Sequence, residues 1–118
     1  MQPTEVARNW QGIAPEADAG LAGVRLSPDA HSYCVDNAFD SELATALDTA
    51  RRSMAIIGDP AVELLADPDI PDTYYLVIEI RVRGTVKDNV IAHRKFASEA
   101  AKLLGKKREI LKLHYDIM

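Results

Sequence analysis

Seven ionisable side chains in this sequence alternate along candidate strands in a way that could gather them on one surface: Glu63, Glu79, Arg81, Arg83, Lys112, His114 and Asp116. Two arginines on one face can clamp a carboxylate or a phosphate through paired N–H donors. A histidine beside them titrates near neutral pH. His114 and Asp116, two residues apart on a strand, have Cβ atoms about 6.5–7 Å apart. They could pass a proton only through a substrate or a water. Opposite charges on neighbouring strands also stabilise an ordinary solvated face, by about 0.2–1 kcal/mol per pair.

A second constellation is basic. Lys106-Lys107-Arg108 follows Lys102 by one turn at the end of a helical pattern. Cations at that position are stabilised by the helix dipole, by about 0.3–1 kcal/mol. A nucleic-acid surface would need aromatic interleaving or a recognisable module as well, and neither is present.

Other chemistry finds little support. No glycine-rich phosphate loop occurs, and His31 with Cys34 supplies too few N and S ligands for zinc. No metal, cofactor or catalytic set is expected. His93 reads as a structural histidine on the apolar side of a helix, and Cys34 as a small core residue.

The elements that must position these groups are legible from about residue 40. Asp40-Ser41 can cap a helix whose stripe is Leu43, Leu47, Ala50, Met54 and Ile57, with Gly58 beyond its end and Asp59-Pro60 stopping it. Residues 61–66 read as a strand, and the turn-rich 67–72 leads into a second strand over 73–83 with strict alternation. A helix over about 87–104 is closed by Gly105, and a last strand covers 110–117. Parity then puts Leu76, Ile78, Ile80, Leu111, Leu113 and Tyr115 toward the helices and the seven charged residues on the other side. Ile78 and Leu113 are expected to be fully buried. Tyr75 and Val77 begin the charged face with apolar character, which would suit the centre of an interface.

Residues 1–40 read as an irregular arm, with short strands near 21–26 and 31–35, a helical turn over 4–10, and Trp10 pinning the arm to the domain. Residues 41–118 form the domain proper. The expected fold is α+β. It is a small two-layer domain, with a mixed sheet of three strands or slightly more and two helices on one face. The order is α-β-β-α-β after the arm.

The chain has 118 residues and a net charge of −4. Residues 1–80 hold 14 acidic and 4 basic side chains, giving −10, whereas residues 81–118 hold 4 acidic and 10 basic, giving +6. Such asymmetry suits packing of one part against the other, within a chain or between chains. One cysteine permits no internal disulfide. No apolar run approaches the roughly 20 residues of a membrane span, and the first residues lack a secretory pattern. A cytoplasmic location without membrane contact follows as the expectation. The leading functional expectation is a small non-catalytic interaction module forming homo- or hetero-oligomers, with a symmetric dimer as its simplest form. A regulatory, antitoxin-like protein whose Lys102, Lys106, Lys107 and Arg108 face nucleic acid comes second, and a small enzyme using the charged sheet face third.

Overall fold

Ser27-Pro28-Asp29 starts a helix by ordinary capping chemistry: the Ser27 hydroxyl accepts from the Ala30 N–H at 3.2 Å, and proline fills the first turn. The computed structural model describes residues 23–118. In chain order these form β1 (Arg25–Leu26), α1 (Pro28–Asp36), α2 (Asp40–Ser53), β2 (Ile56–Ala66), β3 (Tyr74–Val82), α3 (Val86–Leu104), a 3-10 helix (Gly105–Ile110) and β4 (Leu111–Ile117). The expectations for residues 4–10 and for Trp10 lie outside the described residues.

The sheet among the described residues has the order β1-β2-β3-β4. β2 and β3 form the antiparallel hairpin, while β1 is parallel to β2 and β4 is parallel to β3. Each parallel pair is joined by a helical crossover, as parallel neighbours require. Leu76, Ile78, Ile80 and Val82 of β3 meet Leu43 and Leu47 of α2, Ala30 and Cys34 of α1, and Val62 of β2 in one core. Phe96 and Ala100 of α3 pack with Ala50, next to Leu113 and Ile56. All described helices therefore lie on the same face, and the fold is a two-layer α+β domain. Each fully buried Leu, Ile or Val contributes about 1.5–3 kcal/mol.

Several local expectations are corrected. Residues 31–35 are not a strand but the body of α1, because the Ser27-Pro28-Asp29 start outweighs the β-rich run after it. The second helix ends at Ser53 rather than near Ile57. Ile56 and Ile57 join β2, and Gly58-Asp59-Pro60 becomes a bulge between the pairs Ile57↔Arg81 and Ala61↔Glu79. Gly58, with φ +71, takes the left-handed conformation that the bulge requires. The α2 cap position is Phe39, which offers no side-chain acceptor; Asp40 and Glu42 instead bring negative charge to the first turn. Leu113 is half-buried rather than fully buried, because β4 is an edge strand that α3 covers incompletely.

Candidate functional site

Strand parity brings six of the seven charged residues together on the face opposite the helices. Across the ladder, Glu63 lies opposite Val77 and Val77 opposite Lys112. Ala61, Glu79 and His114 form the next row, and Ile57, Arg81 and Asp116 the third. Neighbouring strands stand about 4.8 Å apart, so Glu79 stands opposite His114 and Arg81 opposite Asp116 in register. Arg83 lies one residue past β3, outside the ladder. Its N–H donates to the Ala55 carbonyl at 3.1 Å, and its carbonyl accepts from Asn89 Nδ2 at 3.1 Å.

Side-chain packing closes much of this face. The Arg81 guanidinium lies against Gly58, where an added Cβ would stand 2.9 Å from Nη2. Lys112 Nζ sits 4.7 Å from the centre of the Tyr75 ring, a cation–π contact. The Tyr75 hydroxyl donates to Asp67 Oδ2 at 2.6 Å. Asp67 Oδ1 also accepts from the N–H groups of Asp69 and Ile70. The bond from Tyr75, then these backbone donors, hold the Asp67 carboxyl below its ordinary range. The same bond pushes the Tyr75 hydroxyl above its ordinary range. Val77 is only 2% exposed although no helix among the described residues lies on its face. The Asp67–Tyr75–Lys112 chain was not visible in the sequence, since Asp67 reads there only as a turn residue.

A groove of about 650 Å³ is lined by α3, the start of β3, the end of the 3-10 helix and the first half of β4. α3 supplies His93, Phe96 and Ala97 to it, and β4 supplies Leu113 and His114. The His93 ring is half-buried and stacks on Phe96, with 6.2 Å between centroids, and tilts against Tyr115 at 5.6 Å. These ring contacts hold His93 on the apolar side of α3. The groove itself had no sequence signal, because it is assembled from residues of four separate elements.

The basic cluster is partly neutralised within the fold. Lys107 pairs with Glu42 of α2 at 2.8 Å, and Lys102 pairs with Glu99 at 3.4 Å. The Lys107 hydrogen bond is the main reason the Glu42 carboxyl lies below its ordinary range. Lys106 and Arg108 are exposed on the 3-10 helix. Cys34 is fully buried in the core. Among the described residues, no group of three His, Cys, Asp or Glu side chains is placed to hold a metal ion. No helix among them is long and apolar enough to cross a membrane.

Exposed large apolar side chains are spread over the described residues, Val35, Leu65, Ile70, Ile91 and Leu103 among them. Val86 and Val90 on α3 are 69% and 37% exposed, and Ile117 and Met118 at the end of β4 are 36% and 68% exposed. Compared with protein-family models, with curated proteins and with solved structures, the chain matches none of them.

Proposed function

We propose that this chain is a small non-catalytic interaction module that forms oligomers, in the first instance with copies of itself. The observation that carries this reading is β4. It is a seven-residue strand at the edge of the sheet formed by the described residues; Ile117 at its end is exposed, as are Val86 and Val90 of α3. An edge strand offers a row of backbone donors and acceptors to an incoming strand, and a polar-rimmed apolar border is what associating surfaces carry. The charged face is a weaker docking surface than its sequence suggests. Val77 is buried and Tyr75 is engaged by Asp67 and Lys112, so its apolar centre is already covered.

A cytoplasmic homodimer is the simplest form of this proposal, since the single Cys34 can form no internal disulfide. The nucleic-acid reading is weaker, because Lys102 and Lys107 already have carboxylate partners. Light scattering of the full chain from micromolar to near-millimolar concentration, at two salt concentrations, tests the proposal. A mass rising above 13.0 kDa is expected. A concentration-independent 13.0 kDa species at both salt concentrations would end it.

A further inference from the structure

Resting on that reading, we infer that the partner is a second copy of this chain, added antiparallel along β4 with His114 on the two-fold axis. The direction of the backbone groups comes first. The Met118 N–H donates to the Val82 carbonyl at 2.9 Å, so the even-numbered residues of β4 point their peptide groups inward to β3. The odd-numbered residues, Leu111, Leu113, Tyr115 and Ile117, therefore present N–H and C=O to the side that no other described strand occupies. An antiparallel partner must place its hydrogen-bonded pairs at those positions.

Only a few registers satisfy this, and charge selects among them. β4 runs from Leu111 to Ile117, so centring on His114 overlaps the whole strand. In that register Leu113 faces Tyr115 of the second copy and Leu111 faces Ile117, all in hydrogen-bonded pairs. Lys112 faces Asp116 twice, in the closer, non-hydrogen-bonded pairs. Each β4 thus carries a sequence that is complementary to its own reverse, with opposite charges on one face and apolar side chains on the other. Shifting the centre to Leu113 sets Lys112 against His114, and shifting it to Tyr115 leaves Lys112 without a partner on the second β4.

The helix layer agrees with the same axis. A two-fold normal to the sheet keeps both helix layers on one side and joins two four-stranded sheets edge to edge. α3 then meets its symmetry mate along the flank turned away from α2. Val86, Val90, Ala97 and Ala101 recur on that flank at steps of 4, 7 and 4, with His93 and Arg94 in the gap between Val90 and Ala97.

The test is charge exchange, read by sedimentation equilibrium on the full chain. Lys112→Asp and Asp116→Lys, made singly, each set like charges opposite one another twice. Each single variant should weaken the dimer by about tenfold or more. The double variant, which restores opposite charges, should return to within about threefold of wild type. Rescue cannot come from the Lys112–Tyr75 contact, which is missing from both Lys112→Asp proteins. Circular dichroism of each variant checks that the fold is kept. A wild-type dimer that the single changes leave intact, or that the double change fails to restore, overturns this pairing while the interaction reading stands. A wild type that is monomeric throughout overturns both.

Discussion

The Tyr75 hydroxyl donates to Asp67 Oδ2 at 2.6 Å, tying the first turn of β3 to the connector that leaves β2. The bond stabilises the carboxylate form of Asp67 and the neutral form of Tyr75. Its Asp67 contribution is complete above the ordinary carboxylate range and is lost as pH falls through the depressed Asp67 value. Its Tyr75 contribution is complete below the ordinary tyrosine range and is lost as pH rises through the raised Tyr75 value. Tyr75→Phe should therefore destabilise the protein by a constant amount around neutral pH. The difference from wild type should shrink toward strong acid and toward strong alkali. Urea unfolding of both proteins across pH measures it, and a difference that stays flat through the acid limb would exclude the bond as its source.

Gly58 is held twice over, by a φ of +71 and by the Arg81 guanidinium over it. Gly58→Ala should cost about 1–2 kcal/mol from the backbone alone. Adding Arg81→Ala should recover only the part due to crowding. Urea unfolding of the single and double variants separates the two contributions.

Ile78 is fully buried at the centre of the sheet, between Val62 and Leu113 in register. Ile78→Ala should cost about 2–5 kcal/mol in urea unfolding. The equivalent change at half-buried Leu113 should cost clearly less in the monomer. Equal losses at the two positions would mean that β4 is covered as fully as β3.

The basic 3-10 helix should not bind duplex DNA detectably at micromolar protein and physiological salt. Fluorescence anisotropy with a labelled duplex checks this. Micromolar binding with a steep salt dependence, abolished by neutralising Lys106, Lys107 and Arg108, would favour the nucleic-acid reading instead. Lys107→Ala is expected to lower stability by about 0.2–1 kcal/mol through the loss of its pair with Glu42.

What could be read from the residues, and what could not, follows from how local each signal is. The alternation from Tyr74 to Val82 belongs to a single strand, so parity alone assigned Ile78 to the core and Glu79, Arg81, His114 and Asp116 to one face. The helix over about 87–104 and its Gly105 stop were equally local. Gly58-Asp59-Pro60 misled because a helix stop and a strand bulge call on the same residues. Only pairing with β3 distinguishes them. The Ser27-Pro28-Asp29 start was available in the sequence but was outweighed by the run His31–Val35. The Asp67–Tyr75–Lys112 chain, the groove and the bare flank of α3 depend on how elements are offset in three dimensions, which no single stretch of sequence encodes.

The central claim, self-association along β4, is tested most directly by placing a cysteine on the proposed axis. Position 114 faces position 114 of the second copy in a non-hydrogen-bonded pair, where Cα atoms stand about 4.5 Å apart, within the range a disulfide spans. His114→Cys in the full chain, under mild oxidation, should give a disulfide-linked dimer on a non-reducing gel. The native Cys34 is fully buried and serves as the background. Glu79→Cys, one strand further from the axis on the same face, is the control for chance collision. Rapid and near-complete linkage at position 114 with little at position 79 is the predicted result. Linkage at 114 that is no faster than at 79 would contradict the account.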